Sequence, residues 1–380
     1  MKLGIIGCKR SLRIEIGDDS ETVSKKSGLN FGNLLFQYAC KNLISGDFLG
    51  IGINSTWDIE RIKSECDKII FPSANFINEE SDFGIFADFL EKLDLPIISI
   101  GLGAQNDLTN RKEINLKKGT RRLIEILADK SNVIGVRGEY TQSVLNRMGI
   151  KNTQVIGCPS NLLTPTEELK RSFHSKLKRQ TKFITVNGHH PWTSDNKLKM
   201  LERALFNIAY SYDGDYLAQS HDPLIKLASK SRHCSLSEWR DILKSLHCAS
   251  GLSISLNDFE KFACKNLYYE TDVPSWLYKS SFYDFSIGLR LHGNMVSFQA
   301  GTPSLWISHD SRTQELIEVM KLPYISQTQL NNSKLLEYNN IFSDQLDVYF
   351  KRRNILENNF FEFLVKNNLK PSRVTNSGLD

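Results

Sequence analysis

Apolar and polar positions along the chain fall into short buried runs alternating with stretches of helical period. Leu3–Gly7, Lys68–Pro72, Leu95–Ile100, Asn132–Val136 and Thr153–Ile156 read as strands. Each is a four- to eight-residue apolar run bounded by turn residues, the pattern of a strand covered on both faces. Between them, Leu34, Leu35, Tyr38, Ala39 and Leu43 repeat at helical spacing. Further helices are expected over Phe83–Leu93, Leu116–Ala128 and Glu139–Met148. In Leu116–Ala128, Lys117, Lys118, Arg121 and Arg122 face outward and Leu123, Ile124 and Leu127 inward, an ordinary solvated helix face. Five strands alternating with helices predict a first Rossmann-like domain over residues 1–165.

The grammar then repeats. Thr164–Arg179 is charged and weakly periodic and is read as the linker. Strand Lys182–Val186, helix Asn196–Ala209, strand Asp215–Gln219, helix Asp222–Ser229 and helix Ser237–Leu246 follow. Next come strand Tyr283–Ile287, a helix ending near Gln299, and strand Ser304–Ser308, with a further helix starting in the turn after it. This predicts a second Rossmann-like domain over 180–330. Leu335–Leu369 contains no proline and is read as helix, a tail over 331–380 packing back on the first domain. The fold class is therefore α/β and GT-B-like, two Rossmann-like domains facing across a cleft with a C-terminal helical tail. Ligands of such sheets sit beyond the carboxyl ends of the strands.

Two strand-end turns carry the chemistry. Gly288-Leu289-Arg290-Leu291-His292-Gly293-Asn294 follows one strand, and His309-Asp310-Ser311-Arg312-Thr313 the next. Each places Arg and His beside small residues at a helix start, where free backbone N–H groups already favour anions. Ser311 and Gln314 fit a capping box, which leaves Arg312 and Thr313 unexplained by structure. Asn30 and Asn33, in Gly28-Leu29-Asn30-Phe31-Gly32-Asn33, permit tight turns and close ligand approach; a capped helix without a ligand explains them equally well. His189-His190 follows a strand; on extended backbone the two rings point apart, so one of them is expected to reach the cleft as a hydrogen-bonding group. Asp213-Gly214-Asp215 resembles a metal-holding DxD, but Asp-Gly is a strong turn dipeptide and no acidic cluster supports it. No metal site is expected, and no GxSxG, HExxH or Walker A sequence occurs.

Composition narrows the partners. With 48 Lys+Arg against 43 Asp+Glu, the net charge of +5 suits an anionic small molecule and is too slight to argue for nucleic acid. The seven cysteines are scattered without a CxxC pair, consistent with reduced thiols. No apolar run approaches the ~20 residues of a spanning helix, and Leu3–Ile6 is too short for a secretory core. A cytoplasmic location is expected, peripheral at the inner membrane face if the substrate is membrane-borne.

The Gly288–His292 run, Gly301-Thr302-Pro303 and the following Ser-Arg-Thr together resemble the polysaccharide pyruvyl transferase family. Asn30-Phe31-Gly32-Asn33, Val136-Arg137 and Gly157-x-Pro159 match its other landmarks in order, so the resemblance spans Asn30 to Leu316. Where the family usually has Asp between Gly157 and Pro159, this chain has Cys158. The resemblance implies an enzyme that moves pyruvate from phosphoenolpyruvate onto two hydroxyls of a saccharide, free or lipid-linked, forming a ketal and releasing phosphate, with no cofactor. The residues suit that chemistry: His292 is the side chain there that can titrate near neutral pH and act as acid/base, with Arg290, Arg137, Gly293, Asn294, Arg312 and Thr313 expected on the donor and Asn30, Asn33, His189 and His190 toward the acceptor. Two other readings stay open: a nucleotide-sugar glycosyltransferase, with Glu315 on sugar hydroxyls, and a non-catalytic saccharide- or phosphate-binding protein.

Overall fold

The computed structural model describes residues 1–7, 10–15, 17–52, 57–105, 114–230, 234–309, 311–330 and 335–372. Residues Lys2–Ile6 (β1), Asp47–Ile51 (β2), Lys68–Pro72 (β3), Ile97–Leu102 (β4), Ile134–Val136 (β5) and Thr153–Val155 (β6) form one six-stranded sheet in the order β2-β1-β3-β4-β5-β6. All pairings are parallel. Every residue of β4 is buried, which explains its uninterrupted apolar run: helices cover both faces. The strand β2, absent from the sequence reading, is an edge strand whose central residues stay partly wetted. Its pattern therefore lacks the contrast that marks the others.

The second sheet comprises Ile184–Asn187 (β7), Asp215–Leu217 (β8), Leu267–Tyr268 (β9), Phe285–Gly288 (β10), Ser304–Ser308 (β11) and Tyr324–Ser326 (β12). Its order is β12-β11-β10-β7-β8-β9, again wholly parallel. The chain thus starts at the centre, runs out to one edge, and returns to build the other half. The reversal falls between β7 and β10, where such sheets open a crevice. In the first sheet it falls between β1 and β3. The two crevices face each other, a GT-B-like arrangement.

Thr166–Leu177, expected as a linker, is a helix that buries Leu169 and Phe173. Glu167 and Glu168 in its first turn favour the helix dipole, while its two-residue buried stripe is too thin to show as periodicity. Lys176 from this helix donates to Ser281 O, Tyr283 O and Thr302 Oγ1 at 2.6–2.7 Å. Gly301 has φ +77°, and a Cβ there would meet Ser172 at 2.5 Å. The Gly-Thr-Pro sequence therefore fastens β10 and β11 to this helix.

The 32-residue helix Leu335–Lys366 crosses both sheets. Arg352 Nε donates to Val319 O at 2.7 Å, and Asn359 Nδ2 to Val155 O at 3.0 Å. Between them Arg353, fully buried, donates to Thr166 Oγ1 (3.0 Å), Thr164 O (2.5 Å) and Asn161 O. A buried guanidinium is tolerated only when its donors are satisfied; here they are spent on the chain segment that joins the two sheets.

Candidate functional site

A cavity of about 660 Å³ lies between the carboxyl ends of the two sheets. Asn30, Asn33, Arg137, His189, Arg290, His292 and Thr313 all line it. The sequence had proposed these from separate stretches, and the two strand-order reversals bring them together.

Arg290 lies two residues beyond the β10 end and serves as N-cap residue of the helix Leu291–Gln299. Its backbone N–H donates to Asn187 Oδ1 at 3.1 Å, and its Nη2 donates to Ser220 Oγ at 2.6 Å and His189 O at 3.2 Å. The guanidinium is thus aimed by groups at the ends of β7 and β8. Arg137, 6% exposed, follows β5 and donates from Nη1 to Asn75 Oδ1 at 2.6 Å. The two cations approach one cavity from opposite sheets.

His292 is the second residue of the helix that Arg290 caps. Its Nε2 lies 3.5 Å from Cys158 Sγ and its ring packs 5.4 Å from Phe36. Burial, and secondarily the charge of Arg137, push its imidazole down to about 3. The expectation of a side chain titrating near neutrality gives way here: held well below the ordinary imidazole range, His292 is neutral and suited to accept a proton. An anionic ligand on Arg137 would cancel the secondary cause and make the imidazolium easier to form.

Gly293 and Asn294 lie beneath the cavity. Asn294 Oδ1 accepts from Asn187 Nδ2 (2.7 Å) and Ser286 Oγ (2.8 Å), and its Nδ2 donates to Gly288 O (3.1 Å) and Leu305 O (3.0 Å). That amide stitches β7, β10 and β11 together and has nothing left for a ligand. A Cβ on Gly293 would stand 2.2 Å from Gln219 Nε2, so glycine is required for that approach. The Arg312 side chain is outside the described residues. Thr313 is buried at the wall. Gln314 accepts from Ser308 and donates to Glu318, side-chain partners outside the capping-box pattern. Glu315 accepts from Thr141 Oγ1 at 3.5 Å and borders a separate pocket beside Arg352.

On the other side, Asn30 Oδ1 accepts from Gly32 N at 2.9 Å, and Asn33 Nδ2 donates to Ser27 O and Gly28 O. These bonds shape a turn in which Leu29 takes φ 64°. Phe31 N donates to Gln219 O at 2.8 Å, which locks the turn to the second sheet. A Cβ on Gly32 would meet His292 Cβ at 3.0 Å. His189 and His190 do not diverge: the chain bends after β7, and their rings lie 4.7 Å apart. His189 lines the cavity. His190 instead stacks on His221 at 4.5 Å, and burial, His221 and Arg290 lower it to about 4.

Sequence reasoning missed Glu202, fully buried under the His189 loop. It accepts from Tyr216 Oη at 2.8 Å and from the His189 N–H. Burial raises it to about 7 against those hydrogen bonds and Arg290. Gln219, Asn75 and an aromatic group on the first sheet were missed as well; no local pattern marks a residue that reaches the cleft only through the fold. Asp213 and Asp215 stand at the amino end of β8, on Lys265 and Lys279, away from the cavity. Among the described residues no group of three or more His, Cys, Asp or Glu is placed to hold a metal, and no helix is long and apolar enough to cross a membrane.

Residues 14–311 match the polysaccharide pyruvyl transferase family. The chain belongs to that family. The match takes in every strand from β2 to β11 and contains Arg137, Cys158, Arg290 and His292. No curated protein sequence matches significantly. Solved structures with similarity include the UDP-GlcNAc 2-epimerase of Methanocaldococcus jannaschii, at 14% identity over 90% of this chain and 92% of that one, with a TM-score of 0.44. The UDP-GlcNAc 2-epimerase of Neisseria meningitidis bound to UDP-GlcNAc is 13% identical over 97% of this chain and 100% of that one, with a TM-score of 0.43.

Proposed function

We propose that this member of the pyruvyl transferase family uses phosphoenolpyruvate to place a pyruvate ketal across two hydroxyls of a saccharide, releasing inorganic phosphate. The observation that carries this reading is the convergence of Arg137, Arg290 and His292 on one cavity from two sheets. Phosphoenolpyruvate presents a carboxylate and a phosphate on a small skeleton. Two arginines on opposing walls can grip both, since each guanidinium offers a planar fork to an oxyanion. The helix Leu291–Gln299 adds its N-terminal dipole to the phosphate side.

In the reaction a saccharide hydroxyl attacks C2 of the enol and gives up its proton to His292, and the imidazolium so formed protonates the methylene carbon. The C2–O bond to phosphate then breaks, phosphate leaves with that electron pair, and a second hydroxyl closes the ketal as it loses its proton. His292, held neutral by its burial, thus serves first as base and then as acid, and the proton of the second hydroxyl leaves with the phosphate. Gly293, Thr313 and Arg312 are assigned to the donor side by their place on the same two turns. Asn30, Asn33 and His189 border the acceptor side, and Asn294 supports the donor turn from beneath. No metal takes part in this reading.

The test supplies phosphoenolpyruvate with a panel of glycosides bearing paired free hydroxyls and follows phosphate release, with mass spectrometry of the product. A carboxyethylidene gain on the glycoside is expected. Sugar transfer from a nucleotide sugar, with phosphoenolpyruvate inert across the panel, would overturn the proposal.

A further inference from the structure

The cavity is far larger than its donor. At about 660 Å³ it has the size of a site for a drug-sized ligand, whereas phosphoenolpyruvate has a three-carbon skeleton. One wall of the cavity, on the side of the first sheet, is aromatic. Trp57, Phe71, Phe76, Phe83 and Phe86 all line it. Their rings form one contiguous group: Phe76 and Phe83 are 4.7 Å apart, Phe71 and Phe76 5.0 Å, Phe71 and Phe86 5.1 Å, and Trp57 and Phe86 6.2 Å.

Core packing alone does not account for this group. Phe89, next along the same helix, is 2% exposed and finishes the core. Trp57, Phe76, Phe83 and Phe86 remain only half-buried, and Ile85 at the rim is 80% exposed. Leaving aromatic surface wet forgoes about 25 cal/mol for each Å² that a covering group would shield.

We propose that this wall is the acceptor subsite, a platform on which a pyranose ring lies with its C–H face against Phe76, Phe83 and Phe86. This rests on the pyruvyl-transfer reading for the identity of the acceptor. The C–H face of a pyranose is apolar and weakly positive, and it complements the negative face of an aromatic ring. The edge of the ring carries hydroxyls that need polar partners, and the wall has them at its border: Asp82, Asn75 and Gln105 line the same cavity. A channel for a lipid tail would have no use for a carboxylate and two amides. Asn75 also joins the two halves of the site, because its Oδ1 accepts from Arg137 at 2.6 Å. A ring on the platform therefore has its hydroxyl edge beside the donor cation.

The test separates saccharide binding from chemistry. Methyl glycosides are titrated without phosphoenolpyruvate, following tryptophan emission with a Trp57→Phe control and saturation-transfer NMR. The ring C–H protons, rather than the methyl aglycone, are expected to receive saturation, and the emission change should vanish in the control. In turnover, Phe83→Leu and Phe86→Leu keep the apolar volume but lose the aromatic face. They should raise the acceptor KM about three- to ten-fold while leaving the KM for phosphoenolpyruvate unchanged; Ile85→Ser, at an exposed rim position that burdens folding least, should raise the acceptor KM less. Unchanged acceptor KM in both leucine variants would overturn the proposal, as would binding of octyl glycosides with methyl glycosides inert, which would make the wall a lipid groove. Glycoside binding that these variants weaken, with no phosphate released from phosphoenolpyruvate in the wild type, would uphold the platform while refuting pyruvyl transfer.

Discussion

Cys158 Sγ lies 3.5 Å from His292 Nε2 and 3.0 Å from Ser160 Oγ. The thiol therefore occupies one nitrogen of the imidazole that the proposed chemistry needs. A carboxylate at this position would hold the ring and favour its charged form; the cysteine side chain offers the contact without a carboxylate. Cys158→Asp is expected to raise the His292 pKa and shift the acid limb of the kcat/KM profile to higher pH. Cys158→Ala should lower kcat about ten-fold by freeing the ring. An acid limb that stays fixed in the Asp variant would show that the contact is packing alone.

His292→Gln should reduce turnover by about 10²-fold or more while donor binding persists. A second readout tests the charge coupling. Because Arg137 helps to hold the imidazole neutral, an anion bound to Arg137 should raise its pKa. Phosphoenolpyruvate binding near pH 5 is then expected to take up protons in the wild type and fewer in the Gln variant. Calorimetry in buffers of different ionisation enthalpy measures this uptake, and equal values for the two proteins would refute the coupling.

Arg137 and Arg290 meet the cavity from different sheets but differ in how they are held. Arg290 is bonded by Ser220 Oγ and His189 O, and Arg137 by Asn75 Oδ1. If each grips an oxyanion with two N–H groups, lysine cannot substitute. Arg290→Lys and Arg137→Lys should each lower kcat/KM for phosphoenolpyruvate by about ten-fold or more, with little change in melting temperature. Wild-type donor kinetics in both would make these arginines structural.

Arg137, Arg290 and His292 were legible in sequence because each stands just beyond a strand end. Arg290 and His292 follow a run whose burial shows in its composition, and Arg137 follows another, so the α/β grammar assigned them to the cleft. Asn294 misled because a polar residue at a helix start reads as a ligand group, whereas its four bonds bind three strands together. The aromatic wall was invisible for the opposite reason: Phe83 and Phe86 follow the helical period of a core face, and only the fold reveals that part of that face looks into a cavity. The strand β9 has two residues, too few for a pattern to register, and β12 buries only Ile325 between an exposed Tyr324 and a half-buried Ser326. Glu202 sits in an amphipathic helix like many exposed glutamates; its burial depends on Tyr216 and the bend at His189, both distant in sequence.

Asn294→Ala should be felt as lost stability, independent of any ligand. It strips Asn187 Nδ2 and Ser286 Oγ of an acceptor, and Gly288 O and Leu305 O of a donor, in a fully buried setting. Leaving buried polar groups unpaired costs about 1–3 kcal/mol each, partly relieved by relaxation. A loss of about 2–4 kcal/mol in urea unfolding is expected, and a loss below about 1 kcal/mol would mean that the strands do not depend on this amide.

Glu202 and the cleft histidines make opposite demands on pH. Glu202 is raised to about 7, so between the ordinary carboxyl range and pH 7 the folded state binds more protons than the unfolded chain. Its contribution is present at low pH and is lost as pH rises through 7. His292 and His190 are lowered to about 3 and 4, so there the unfolded chain binds more protons. Their contribution is present above about pH 6.5 and is lost as pH falls through those values. Stability should therefore be greatest near pH 6.5, where the histidines no longer cost and Glu202 has not fully ionised. Removing the buried charge isolates one arm. Glu202→Gln keeps an acceptor for Tyr216 and cannot ionise, so its stability relative to wild type should improve steadily from about pH 5 to pH 8. Urea unfolding of both proteins across that range measures the difference. A difference that does not vary with pH would mean that Glu202 ionises as easily in the fold as in the unfolded chain, and that the His189 loop above it is not held by a neutral carboxyl.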